Sequence, residues 1–215
     1  MIIKRKNWLY DIFCDHIFQT IINSYHKIDY SGIENIPTKG PALMLPKHQS
    51  YKDIELEGLM LKKAGRYGLW YMRSIPIPFL EYIGGFGNTI RAKDIRKISR
   101  EKREDITRKA RLVQGYINSY QEQLYSIGEI VVMHPEGTRN PGKMGDVPHY
   151  IFKAAKTAKK KYRIDVPIIP VGIEYENIWK KGSKVWIRAG SQINIDTPDI
   201  EETVKKEIKR LSNLA

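Results

Sequence analysis

The sequence predicts an α/β layered domain, with a mixed, mostly parallel central sheet flanked by helices and an N-terminal amphipathic helical segment in front. Three observations lead there. Short apolar runs at 42–46, 129–134 and 166–173 read as buried strands. Segments with helical spacing lie between them, and that alternation argues for helices layered on a sheet. Two of the runs lead straight into polar turns, as expected where ligands lie along the carboxyl edge of such a sheet.

The elements follow in order. Residues 1–27 read as one helix or two short ones, set off from a domain at 28–215. Trp8, Leu9, Ile12, Phe13, Ile17, Ile21, Ile22 and Tyr25 recur there at helical spacing, with Asp11, Asp15, Gln19 and Asn23 largely between them. The two acids break any signal-peptide core. A strand is expected within 27–36, before the turn Pro37-Thr38-Lys39-Gly40-Pro41. The strand 42–46 comes next. Asp53 to Ala64 reads as a helix with Asp53 in its first turn, ended by Gly65 and Gly68, and 69–72 as a strand. In 74–87 the prolines Pro76 and Pro78 forbid a long regular helix, and the crowded apolar residues around them suggest a buried loop and short helix, or a wall of an acyl-chain groove. A long helix is expected over about 99–127, its apolar face marked by Ile106, Ala110, Val113, Ile117, Tyr120 and Leu124. A strand at 129–134, a helix near 149–160, strands at 166–173 and 184–188, and a polar helix at 203–211 complete the chain.

The chemistry concentrates at two strand ends. His48 and Asp53 have four residues between them and follow directly on the run Ala42-Leu43-Met44-Leu45-Pro46. Neutral imidazole suits proton abstraction near neutral pH, and a carboxylate can hold its other ring nitrogen and stabilise the imidazolium. On an ideal helix, five steps of about 100° would set the two roughly 140° apart, so the pair needs a strand-to-helix turn. The second strand end runs Glu129-Ile130-Val131-Val132-Met133-His134 into Pro135-Glu136-Gly137-Thr138-Arg139-Asn140. Gly137 permits positive φ or close approach of backbone to a ligand, and Thr138 and Arg139 offer donors suited to phosphate.

With these blocks the chain resembles the glycerophospholipid acyltransferases, which include the lysophosphatidic acid (1-acylglycerol-3-phosphate) acyltransferases. That family is marked by a His-x4-Asp block, here His48 to Asp53, and a Glu-Gly-Thr-Arg block, here Glu136 to Arg139. Gly87-Asn88-Thr89-Ile90-Arg91 resembles its Gly-x-Ile-x-x-Arg segment, with Arg91 as the matching arginine. Val166-Pro167-Ile168-Ile169-Pro170-Val171 resembles its last strand block. The four blocks, in this order, cover residues 46–171. Departures lie at Lys47, where Asn is usual, at Asn140, where Ser is common, at Arg73, near a frequent Lys, and in 141–146.

The resemblance implies transfer of a fatty acyl group from acyl-CoA or acyl-ACP, as co-substrate, to the sn-2 hydroxyl of 1-acylglycerol-3-phosphate, giving phosphatidic acid. His48 would be the base and Asp53 its orienter. Arg91, Glu136, Gly137, Thr138 and Arg139 would bind substrate, with the Gly137 amide or a neighbour as oxyanion donor and Glu136 positioning the glycerol or anchoring its loop. Another lysolipid acceptor, such as a lyso-ornithine lipid, and a catalytically silent basic membrane-binding protein are the alternatives. No metal-ligand spacing is present, and no resident cofactor is expected. His134, at the end of its strand, is expected to be structural.

Composition sets the setting. Thirty-seven Lys and Arg against 24 acids give a net charge of +13, which calls for an anionic partner. No RNA-binding or zinc-finger pattern accompanies it, so an anionic membrane and a phosphorylated substrate are expected in place of nucleic acid. The single Cys14 allows no intrachain disulfide and fits a reducing compartment. No run of about 18 apolar residues predicts a span. The basic start, Trp8 and the apolar stripe suit a helix lying in the headgroup region, on the cytoplasmic face of the membrane, or one packing on the domain's own core.

Overall fold

The computed structural model describes residues 5–72, 82, 84–87 and 100–214. Arg73, Arg91 and most of 74–87 lie outside them, so the expectations for those positions do too.

Seven strands form one sheet: β1 (His26–Ser31), β2 (Ala42–Pro46), β3 (Gly68–Met72), β4 (Gly85–Gly87), β5 (Ile130–Met133), β6 (Ile168–Tyr175) and β7 (Ser183–Ala189). Their order is β1-β7-β6-β2-β5-β3-β4. Every neighbouring pair is parallel except β6 with β7. The mixed, mostly parallel sheet is thus as the sequence predicts. The β6–β7 reversal puts the starts of β7 and β1 on the edge where β2, β5 and β6 end. All of the catalytic candidates among the described residues gather on that edge.

The strands alternate their side chains between two cores. Leu43, Leu45, Val131, Met133 and Ile168 face one side. There they meet α4 (Arg100–Ser126), α5 (Lys153–Tyr162) and α6 (Ile200–Leu211) through Ile117, Tyr120, Leu124, Ala155, Ala158, Val204 and Ile208. Ala42, Met44, Ile130, Val132 and Ile169 face the other side. Burial on both faces explains why β2 and β5 are unbroken apolar runs, whereas edge strand β1 alternates in and out. In α6 the spacing Ile200, Val204, Ile208, Leu211 makes one apolar face. Gly172 lets its end touch β6, since a Cβ there would lie 2.3 Å from the Leu211 carbonyl carbon.

The second core is covered by α3 (Asp53–Lys63) and by the N-terminal segment, α1 (Asn7–Ile12) and α2 (Gln19–Tyr25) joined by π turns at Phe13–Phe18. The wider π turn re-phases the helix, and the expected single stripe is divided. Tyr10, Cys14 and Ile22 are buried, and Leu9, Phe13 and Phe18 pack against the core. Trp8, Ile12, Ile21 and Tyr25 are exposed. Asp11 and Asp15 both bind Lys62 of α3, at 2.9 and 2.7 Å. So the helix packs on the domain and still shows apolar residues outward. Cys14 is a free thiol in this core, and burial pushes it up to about 12.

Other boundaries shift for identifiable reasons. Gly68 does not end α3 but opens β3, beneath Leu61 of that helix. Among the described residues α4 buries its face from Ile117 onward, and Val113 is half-buried. Gly85–Gly87 forms the short β4 beside β3, an element not expected from a Gly-rich segment.

Glu55 of α3 stores a pH dependence. One carboxylate oxygen is buried with no hydrogen-bond partner among the described residues. Burial, opposed by the charge of Lys52, pushes it from 4.5 up to about 7. A raised native value means that stability is fully present below about pH 4.5 and is lost as pH rises through 7. Glu55→Gln should therefore leave unfolding free energy unchanged near pH 4 and raise it at pH 8, in urea titrations. The gain should be on the order of 2 kcal/mol, less than the full shift implies because solvent reaches part of the side chain.

Candidate active site

His48 sits two residues past the end of β2, and Asp53 is the first residue of α3. The turn between them brings the His48 Nδ1 to 2.9 Å from the Asp53 Oδ2. Asp53 is fully buried and accepts three more hydrogen bonds. The amides of Gln49 and Ser50 reach Oδ2 at 2.6 and 2.7 Å, and the Tyr175 hydroxyl at the end of β6 reaches Oδ1 at 2.8 Å. Burial, then the Asp53 charge, keeps the Tyr175 phenol protonated well above its ordinary value. The carboxylate fixes the imidazole proton on Nδ1 and leaves Nε2 to act as a base. The His48 side chain is 16 % exposed, enough to meet a substrate while its orienting acid stays dry.

The Glu136 block lies alongside, at the end of β5. Lys47 Nζ donates to Glu136 Oε1 at 2.7 Å, and both side chains are fully buried. Lys47 also donates to the carbonyls of Asn140 and His48, at 2.8 and 3.1 Å. Burial lowers its pKa, against the hydrogen bond and charge of Glu136. Glu136 Oε2 accepts from the Asn140 side chain at 2.9 Å and the Gly145 amide at 2.7 Å. The Asn140 backbone amide in turn donates to the His48 carbonyl at 2.9 Å. Lys47 and Asn140, two of the departures from the family pattern, therefore face inward and complete one network around Glu136. Of the two roles expected for Glu136, anchoring the loop is the one its hydrogen bonds serve.

Gly137 adopts φ 64°, the left-handed turn its lack of a Cβ permits. Its amide donates to the His134 carbonyl at 3.1 Å, closing the turn. The amides of Thr138 and Arg139 have no acceptor among the described residues, which moves the oxyanion candidate from Gly137 to a neighbour. Thr138 and Arg139 are exposed. The Arg139 guanidinium lies 3.4 Å over the Tyr51 ring and bonds its hydroxyl at 2.6 Å.

Sequence reasoning missed a second histidine–acid pair. His134 stacks on His48, with ring centroids 3.9 Å apart and planes 18° from parallel. Its Nε2 lies 2.8 Å from Glu57 Oε1, and the Trp70 indole donates to Glu57 Oε2 at 2.8 Å. Burial alone would lower the His134 pKa. The charge and hydrogen bond of Glu57, with the charges of Asp53 and Glu136, outweigh it and raise the value. The available signal was Glu57 itself, an acid on the buried face of α3 one helical turn from Asp53.

A buried acid holding a partly exposed imidazole, beside a turn with two amides that lack an acceptor among the described residues, is an arrangement suited to general-base activation of a nucleophile. The acyltransferase family model matches residues 27–174, and the chain belongs to that family. No curated protein matches it in sequence. In fold it is similar to the 1-acyl-sn-glycerophosphate (LPA) acyltransferase PlsC from Thermotoga maritima. The TM-score is 0.63 at 18% identity, over 96% of this chain and 78% of that one.

The Lys47–Glu136 pair gives a direct test. Glu136→Ala would leave a buried ammonium without its counter-charge and should cost about 3–5 kcal/mol in urea unfolding. Changing both together, Lys47→Met with Glu136→Leu, should cost clearly less. Equal losses would mean that the pair does not hold the two loops together.

Proposed function

We propose that the chain transfers a fatty acyl group from acyl-CoA or acyl-ACP to the sn-2 hydroxyl of 1-acylglycerol-3-phosphate, giving phosphatidic acid. The observation that carries the reading is the His48–Asp53 pair, a base with its proton fixed on Nδ1 and its ring partly open to substrate. His48 Nε2 takes the hydroxyl proton as the acceptor oxygen attacks the thioester carbonyl. The new C–O bond gives a tetrahedral oxyanion, for which the Thr138 and Arg139 amides are the donor candidates. Collapse breaks the C–S bond, and the proton on His48 leaves with the thiolate. No acyl-enzyme is needed, because the base activates the acceptor itself. Arg139, on the exposed rim beside Tyr51, is suited to hold the acceptor phosphate, with Arg91 expected to assist.

The acceptor is a membrane lipid, so the enzyme must work at a bilayer. No described helix is long and apolar enough to cross one. The exposed Trp8, Ile12, Ile21 and Tyr25 on the N-terminal segment, with a net charge of +13, support peripheral binding at the cytoplasmic face.

Purified protein with radiolabelled acyl-CoA or acyl-ACP and a panel of lysolipids tests the reaction and ranks acceptors. His48→Ala should abolish transfer without unfolding the protein. Asp53→Asn should lower kcat by orders of magnitude, less than loss of the base, because it spoils tautomer and orientation. More than a tenth of native activity in His48→Ala would sink the mechanism.

Arg139→Ala should raise the KM for the phosphorylated acceptor about ten- to a hundredfold, the value of a charge-assisted contact of about 1.5–3 kcal/mol. The donor KM should hardly move, and an equal rise in both would assign Arg139 a structural role. In co-sedimentation with anionic vesicles, high salt should only partly release the native protein yet fully release Trp8→Ser/Ile12→Ser, since salt screens charge and not apolar burial. Native protein left in the supernatant at low salt would contradict membrane binding.

A further inference from the structure

The loop joining β6 to β7, residues 176–182, stands on the same sheet edge as His48 but supplies no group to the site. Its tip reads Ile178-Trp179-Lys180-Lys181. Trp179 is 89 % exposed, the highest among the exposed large apolar residues described. Lys180 and Lys181 are exposed beside it, with no carboxylate partner among the described residues.

The tip is held in place. The Asn177 side-chain oxygen accepts the amides of Trp179 and Lys180 at 2.9 and 3.0 Å. The Ser183 hydroxyl donates to the carbonyls of Asn177 and Lys180, at 2.7 and 2.8 Å, as alternative acceptors. The Gly182 amide donates to the Tyr25 carbonyl at 2.7 Å, and Lys52 Nζ reaches the Ile178 carbonyl at 3.4 Å. These last supports come from the end of α2 and from the residue directly before Asp53. Lys52 also lies 4.2 Å over the Tyr25 ring, which is itself exposed. The indole is therefore presented outward by a support that also borders the catalytic turn.

We propose that this loop is a bilayer contact, with Trp179 seated at the headgroup level of an anionic membrane and Lys180 and Lys181 on lipid phosphates. Together with the N-terminal segment it turns the sheet edge that carries His48 toward the lipid surface. The proposal rests on the reading of the enzyme as one that acts on a membrane-borne lysolipid. The chemistry favours lipid over protein. A stable protein interface buries about 800 Å² on each partner, more than one protruding indole and two lysines provide. A membrane interface is gripped by such isolated Trp anchors flanked by basic residues.

The test uses the full chain, Trp179→Ser and Lys180→Gln/Lys181→Gln. Binding is measured to vesicles of phosphatidylcholine with phosphatidylglycerol and of phosphatidylcholine alone. Turnover is measured with a water-soluble short-chain acceptor. Trp179→Ser should weaken vesicle binding about tenfold and leave short-chain turnover unchanged. The double lysine change should weaken binding only where anionic lipid is present, and the difference should vanish at high salt. Native-like vesicle binding by both variants would overturn the proposal. So would a parallel fall in short-chain turnover, which would make the loop part of the site. A rate loss confined to acyl carrier protein as donor, with vesicle binding intact, would overturn it in favour of an acidic protein partner. Failure of the acyltransferase reading would look different: the native enzyme would turn over neither acceptor, while vesicle binding would still decide the role of the loop.

Discussion

The buried carboxylate of Asp53 is the constraint on which the site depends. It begins α3, closes the turn after β2 through the Gln49 and Ser50 amides, and receives the Tyr175 hydroxyl from the end of β6. A buried carboxylate with fewer donors would be costly. Here four donors satisfy it, and the fourth is the Nδ1 of His48. The same contacts that stabilise the turn thus decide which imidazole nitrogen is free. The fold of the turn and the orientation of the imidazole draw on one set of hydrogen bonds.

A second buried centre aligns the neighbouring loop. Lys47 leaves the end of β2 and Glu136 the end of β5, two adjacent parallel strands. Their pair, with Asn140 and Gly145, holds the turn that carries Gly137, Thr138 and Arg139 against the backbone of His48. Such a pair need not add net stability over an apolar replacement. Its value is registry: it fixes where the Thr138 and Arg139 backbone and the Arg139 fork stand relative to His48. His134 stacks on the imidazole ring and is held by Glu57, which also accepts from the Trp70 indole.

Much of this was legible in the sequence. The apolar runs at β2, β5 and β6 were visible because a parallel strand buried on both faces needs an unbroken run. His48 and Asp53 were visible because one short turn holds both. What was not legible depends on distant pairs. Glu136 finds Lys47 across 89 positions, and His134 finds Glu57 across 77. The N-terminal stripe looked uniform because spacing alone does not say which half packs, and the π turns at 13–18 divide it. β4 escaped because three residues with two glycines carry no strand pattern.

His48 is proposed to act as a base on the acceptor and not as a nucleophile on the donor. Rapid mixing of the enzyme with labelled acyl-CoA or acyl-ACP, with no acceptor present, separates the two roles. A base on the acceptor gives no burst of free thiol and no label on protein recovered from denaturant, with release beginning only when lysolipid is added. A stoichiometric burst with acyl label retained on the chain would contradict it.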